Sequence, residues 1–269
     1  MVQKFSLGGR TAWLKRYDPD NWLRPAVVRL WNGLASRLEL AALRSPPRYA
    51  GEQAKEIELR RLEALRACGA PVPRILGEGP RSLILSDMGP TLAHRLKRLK
   101  SANDADILVR QTVHAIGELH RHGGYLGQAF ARNITVGDTG VGFIDFEEDP
   151  SEIMSLAQAQ ARDWVLFTTG VGPYFTGRME VLSELIREQA SQAEPQVARE
   201  VHRIASRLGF LERTGRFLGR KASAMGAAIG AIRKGFATLA LAAILVDVLS
   251  DGDCDMWLAL VDVVRHSAI

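Results

Sequence analysis

Cysteine is nearly absent from this chain of 269 residues: Cys68 and Cys254 are the only two. They form no metal-ligand or redox spacing, so a zinc framework or a disulfide-stapled fold is excluded as the organising device. A reducing, cytosolic compartment is the expectation. Long hydrophobic runs are also missing. The most apolar stretch, GFATLALAAILVDVL over 235–249, contains Asp247 and falls short of the roughly 20 residues that cross a bilayer. It is expected to be a buried helix. Met1 to Leu7 holds no apolar leader core, so no signal peptide is expected. There is no internal repeat and no low-complexity tract. Neither sign of charge dominates: 35 Lys+Arg against 30 Asp+Glu give +5. That modest excess favours anionic partners such as nucleotide phosphates or lipid head groups. Nucleic acid is not an expected partner.

What is present is ordinary globular material, 46% hydrophobic and 24% charged, long enough for a sizeable core. Its most informative stretch is Leu119–Pro150, LHRHGGYLGQAFARNITVGDTGVGFIDFEEDP. A helix beginning near Asp104 closes at Leu119, His120, Gly123 and Gly124. Asn133-Ile134-Thr135-Val136 and Val141-Gly142-Phe143-Ile144 are short β-rich runs on either side of a Gly137–Gly140 turn. This hairpin carries Asn133 at the entry of one strand and Asp145 at the exit of the other. An amide oxygen and a carboxylate at neighbouring strand ends can share one hard cation, because Mg²⁺ takes oxygen ligands and keeps phosphates and waters in the rest of its shell.

The succession of Leu119-His120, a glycine-bearing loop, Asn133-Ile134-x-Val136 and Gly142-Phe143-Ile144-Asp145-Phe146-Glu147 resembles the catalytic loop and metal-binding segment of protein-kinase-like folds. The nearest kin in pattern are the small bacterial lipopolysaccharide-core kinases and the RIO-like atypical kinases. The resemblance implies an α+β, two-lobed architecture. A β-rich small lobe over 1–88 would carry one main helix and a helical insertion at 18–47. A larger helical lobe over 89–269 would contain the hairpin at 126–149. The resemblance further implies ATP and Mg²⁺ as cofactors, with Asn133 and Asp145 as metal ligands and transfer to a hydroxyl of a protein or an envelope sugar. The family's catalytic aspartate lies five residues before the asparagine. Here that position is Gln128, whose amide cannot act as a base near neutral pH. A slow phosphotransferase and a nucleotide-binding pseudokinase are therefore both open. Glu147, Glu148 and Asp149 lie just beyond Asp145; a substitute base among them is one reading, a solvated run the other.

Upstream, Lys4–Leu7, Gly8-Gly9 and Arg10–Tyr17 read as a β-hairpin. Ala12-x-x-Lys15 on its second strand resembles the family's nucleotide-binding lysine. No G-x-G-x-x-G loop precedes it. Glu52 to Cys68 reads as a helix that stops at Gly69 before Pro71 and Pro73, with Leu59, Leu62, Leu65 and Arg66 on one face. Its resemblance to the family's helix C implies that Glu58, with Glu56 in reserve, pairs with Lys15. In 18–47, Trp22, Leu23, Val27, Leu30, Trp31, Leu34 and Leu38 recur at helical spacing, which predicts an amphipathic helix packed on the small lobe. A membrane- or substrate-facing helix is the alternative. Arg74–Leu76 and Ser82–Ser86 read as strands, and the resemblance implies that Asp87-Met88-Gly89-Pro90 is the hinge whose backbone, at Asp87 and Met88, meets an adenine. Ile107, Leu108, Val113, Ile116 and Leu119 are the expected inner face of the helix 104–120. His114, His120 and His122 lack zinc spacing and are expected to be structural. Asp163 lies in an apolar helix, where a carboxylate needs partners; the resemblance implies that it accepts hydrogen bonds from the catalytic-loop backbone. Met179–Leu211 reads as helical, and Met256–Val264 as a last amphipathic helix. The run Arg203, Arg207, Arg213, Arg216, Arg220, Lys221, Arg233 and Lys234 is opposed by Glu212 alone. It is either a solvated face or a surface for anionic lipid or an acidic partner, which would make the protein peripheral to the inner face of a membrane. A membrane scaffold that uses no nucleotide is a third reading.

Overall fold

The structure is a computed structural model that describes residues 1–17, 25–37, 39–99, 101–137, 140–175, 178–190, 192 and 194–215. The expectations for 216–269, including the apolar 235–249 run and the last amphipathic helix, lie outside the described residues. The fold is mixed α+β: a small antiparallel sheet near the N-terminus, followed by helices.

Strands β1 (Val2–Leu7) and β2 (Arg10–Arg16) form the expected hairpin, with Leu7 opposite Arg10. Gly8 and Gly9 take φ of 56° and 76°, the left-handed pair that a tight two-residue turn needs. β3 (Ile75–Gly79) and β4 (Ser82–Ser86) complete a sheet of order β1-β2-β4-β3. β3 runs past the expected end at Leu76 through Gly77 and Gly79; a bulge between Ile75 and Gly77 and the missing side chain of Gly77, beside Ile84, make this possible.

Helix α2 (Gly51–Ala67) turns Ala54, Ile57, Glu58, Arg61, Leu62 and Leu65 inward, a stripe at i, i+3 and i+4 spacing. Relative to the leucine-based expectation the stripe is rotated: Leu59 is half-buried, Arg66 and Glu56 are exposed, and three charged residues, Lys55, Glu58 and Arg61, are buried because each has a partner. The segment after β4 leads into α3 (Leu92–Arg98), capped by Thr91, and α4 (Ala102–Arg121), capped by Ser101. On α4, Val109 is fully buried while Ile107 is 47% exposed, correcting the expected inner face. β5 (Ile134–Gly137) and β6 (Gly140–Phe143) form the second hairpin. It is tied back by Val136 N–H to the Pro90 carbonyl and Phe143 N–H to the Pro71 carbonyl, both at 2.9 Å.

Helix α5 (Leu156–Val171) begins at a Ser155/Gln158 capping box, an S-x-x-Q signal in the sequence. The stretch 179–211 is helical as expected, in two helices, α6 (Met179–Ala190) and α7 (Pro195–Gly215). Pro195, which has no N–H to donate, opens the second. Helix α1 (Pro25–Arg37) occupies the insertion, and its packing corrects the expectation. Ala35, with Leu40 and Leu43 after it, is buried against Phe130, Ala161, Val165, Leu166 and Ile204, on the helical side and away from the small sheet. Trp22 and Leu23 lie outside the described residues. A second, larger cluster joins Leu83 and Leu85 of the sheet and Leu62 and Leu65 of α2 to Ile134, Phe143 and Trp164.

Arg162 holds these layers together. Fully buried, it donates from Nε to the Gly127 carbonyl at 2.7 Å and from Nη1 to the carbonyls of Ala42 and Arg44 at 3.2 and 2.9 Å. Arg162→Ala is expected to lower unfolding stability by about 3 kcal/mol, because three carbonyl acceptors, two of them buried, lose their donor beside a new cavity. Urea denaturation measures this; an unchanged midpoint would remove Arg162 from that role.

Candidate functional site

Alternation along β2 sets Trp13, Lys15 and Tyr17 on one face of the strand. Trp13 Nε1 donates to Asp87 Oδ1 at 2.6 Å. Two residues on, Lys15 is 6% exposed and reaches three carboxylates: Asp145 Oδ1 at 2.5 Å, Glu58 Oε2 at 2.8 Å and Glu147 Oε1 at 2.9 Å. Glu58 comes from the inner stripe of α2, and Asp145 and Glu147 from the segment after β6. Four side chains from three distant parts of the chain thus meet at one ammonium. Tyr17 donates its hydroxyl to Glu58 Oε2 at 2.7 Å and fixes that carboxylate from behind.

The electrostatics follow from burial opposed by pairing. Burial lowers the Lys15 pKa, but Asp145, Glu58 and Glu147 more than reverse this and carry it well above its ordinary value. Burial raises the Glu58 carboxyl above the usual range, with Lys15 and Tyr17 pulling against it. Burial also acts on Asp145, yet the charge and hydrogen bond of Lys15 leave its carboxyl below its ordinary value. Tyr17 is pushed up by burial and by the Glu58 charge. Asp145 sits at φ +69°, a left-handed conformation uncommon for a residue with a side chain and frequent at functional sites.

Oxygens of Glu58, Asp145 and Glu147 lie within 4.8 Å of one another, a hard-donor group of the kind that suits Mg²⁺, and the Lys15 ammonium sits among them. Asn133 is beside Asp145 through the backbone: Ile144 N–H donates to the Asn133 carbonyl at 2.9 Å. Its side-chain Nδ2 donates to the Gln128 carbonyl at 3.3 Å, so its amide oxygen is the opposite end of the group.

The loop carrying Gln128 is held by Asp163, which is fully buried on α5. Its carboxylate accepts the Leu126 N–H at 2.6 Å, the Gly127 N–H at 2.7 Å and His120 Nε2 at 3.0 Å. Gly127 has φ +85°, and a Cβ there would lie 2.6 Å from Pro150, so the loop needs glycine just before Gln128. Gln128 is 8% exposed, and its Oε1 has no hydrogen-bond partner. Asp87 is exposed, and the carbonyl of Met88 faces Gly137, where a Cβ would approach it to 3.3 Å.

The three acids after Asp145 behave differently from one another. Asp149 accepts from the Tyr125 hydroxyl at 2.6 Å and from Arg60 at 3.0 Å, anchoring the segment to α2. Burial tends to raise its carboxyl, but hydrogen bonds from Tyr125 and Ser151 bring it below the usual range. Glu148 is buried beside Arg48, 3.5 Å away, and burial pushes its carboxyl up. Only Glu147 faces Lys15. His120 is buried edge-on to Trp164, and His114 lies 3.7 Å from Glu118. Sequence reasoning missed Tyr17, Glu147 as a Lys15 partner, and Arg162. Parity with Lys15 on β2 marks Tyr17, and a charged pair inside the apolar run of 159–167 marks Arg162 along with Asp163.

No family model matches the chain, and no curated protein matches it.

Lys15→Met is expected to destabilise the fold by about 3 kcal/mol at pH 7, since it strands the buried Glu58 charge. With its partner gone, Glu58 has a folded-state pKa further above its unfolded value. That penalty fades as pH falls through the raised folded value and is gone below the unfolded one. Chemical denaturation from pH 7 to pH 4 tests this; a deficit that grows on acidification contradicts it.

Proposed function

We propose that the chain is an ATP- and Mg²⁺-dependent phosphotransferase of protein-kinase-like build, acting slowly on a hydroxyl of a protein or an envelope sugar. The observation that carries this reading is the meeting of Lys15, Glu58 and Asp145, drawn from β2, α2 and the end of β6, at 2.5–2.8 Å. When bound, a magnesium nucleotide supplies the transferable phosphoryl group and the cation that offsets its charge. The protein's part is to bind and orient. Lys15 donates to a phosphate oxygen, and Glu58, itself held by Tyr17, keeps the ammonium in place. Asp145 and Asn133 offer a carboxylate and an amide oxygen, the hard donors that Mg²⁺ takes. The backbone of Asp87 and Met88, at the join between the sheet and the helices, would meet the adenine. Asp163 fixes the Gln128 loop, and the Gln128 amide orients the attacking hydroxyl without taking its proton. The missing base is typically worth ~10²–10⁴ in rate, which makes the enzyme slow.

Gln128 also favours a second reading, a pseudokinase that binds nucleotide and regulates a partner. In either case the protein is proposed to be cytoplasmic. Contact with an anionic membrane surface or a glycolipid acceptor is proposed for 203–234. Arg203 pairs with Glu200 at 2.7 Å, and most of the remaining basic residues lie outside the described set. Among the described residues no helix is long and apolar enough to cross a membrane.

Calorimetric titration with ATP and Mg²⁺ tests the site. Binding should weaken at least about tenfold in Lys15→Ala and in Asp145→Asn, as expected when a charged partner of the ligand is lost; binding unchanged in both rejects it. Phosphate release then separates the two readings. Gln128→Asp should raise the rate by about 10² if the base alone is missing. A rate that stays flat while ATP still binds favours the pseudokinase.

A further inference from the structure

We propose that Glu147 is an internal competitor of the nucleotide: its carboxylate holds the Lys15 donor that a phosphate oxygen takes, and binding exchanges one for the other. This rests on the phosphotransferase reading of the Lys15 site and adds the residue that sets the site's affinity. A lysine ammonium has three N–H bonds and no more. Here the nitrogen donates to Asp145 at 2.5 Å and is ion-paired with Glu58 at 2.8 Å and Glu147 at 2.9 Å. With three carboxylate oxygens already against the nitrogen, a phosphate oxygen takes a place beside Lys15 only when one of them withdraws.

The surroundings decide which one moves. The Glu58 side chain is 1% exposed, and the Tyr17 hydroxyl donates to the very oxygen that meets Lys15. Releasing it would leave a buried carboxylate without its cation, the most unfavourable of the three exchanges. Asp145 is comparably exposed, at 37%, but it makes the shortest contact, accepts the Lys15 hydrogen bond at 2.5 Å, and follows β6 at once next to the Ile144–Asn133 backbone bond. Glu147 lies two residues further, in a segment outside any helix or strand, and its side chain is 34% exposed. Its carboxylate swings into water, where the lost ion pair is largely replaced by hydration. It makes the longest of the three contacts. Until it turns away it also repels the incoming phosphate, so it opposes binding twice.

The test is calorimetric titration of the full chain with ADP, with and without Mg²⁺, for the wild type, Glu147→Gln and Glu147→Ala. Glu147→Gln is nearly isosteric and guards against a folding defect in the alanine variant; circular dichroism checks both. Both variants should bind ADP more tightly than the wild type in either condition. The gain should be about tenfold for alanine, where the competing acceptor is gone, and smaller for glutamine, which keeps a neutral one. Unchanged affinity in both variants overturns the proposal. So does weaker binding confined to the Mg²⁺ condition, which would make Glu147 a cation ligand. Lys15→Ala runs in parallel. If it binds ADP as the wild type does, the nucleotide site itself fails, whereas a Lys15-dependent affinity indifferent to Glu147 removes the competitor alone.

Discussion

One ammonium among three carboxylates is the interaction on which the rest depends. Lys15 is almost wholly out of water, and so is Glu58. Isolated, either charge would be strongly unfavourable there; together, with the Tyr17 hydroxyl donating to the same Glu58 oxygen that meets Lys15, they are tolerated. The requirement reaches far along the chain. β2 must hold the register that turns Lys15 inward. α2 must present the face that includes Glu58 in place of a purely leucine face. The β5–β6 hairpin must end where Asp145 and Glu147 can reach the same point.

A second carboxylate does comparable work for the loop. Asp163 receives two backbone N–H groups and a histidine, a set of donors that makes a fully buried charge acceptable and leaves the chain from Leu126 to Gln128 little freedom. Beside it, Arg162 takes the Gly127 carbonyl and the carbonyls after α1. The two neighbours on α5 thus grip donors and acceptors of the same loop. Positions of hydrogen-bonding groups within that loop, Gln128 included, are set by helix geometry and so are reproducible from molecule to molecule, which a phosphoryl acceptor site would need.

Much of this was legible in the sequence where local chemistry decides the outcome. The Gly8-Gly9 turn, α2 with its Gly69 stop, and the hairpin from Asn133 to Asp145 follow from turn residues and periodicity. The approach of Lys15 to Glu58 and Asp145 was expected only from family resemblance, since no local rule relates residues 130 positions apart. Long-range packing was not legible. The apolar spacing over 18–47 would suit either the sheet or the helices, and only the packing of Ala35 with Phe130, Ala161 and Val165, from distant parts of the chain, selects the latter. The strand through Gly77 depends on Ile84 across the sheet, and the inward Val109 on what lies opposite α4. Glu147 looked like one of a solvated acidic run because its partner comes from the far end of the fold.

The central claim is that Lys15 and Asp145 act as one unit in holding a nucleotide phosphate. A double-mutant cycle on the ATP dissociation constant in the presence of Mg²⁺ tests it most directly, using Lys15→Met, Asp145→Asn and the double variant. If the two form one unit, the double variant loses little more affinity than the worse single, so the coupling is about tenfold or larger. Losses that multiply independently, or an affinity indifferent to all three changes, would contradict the account.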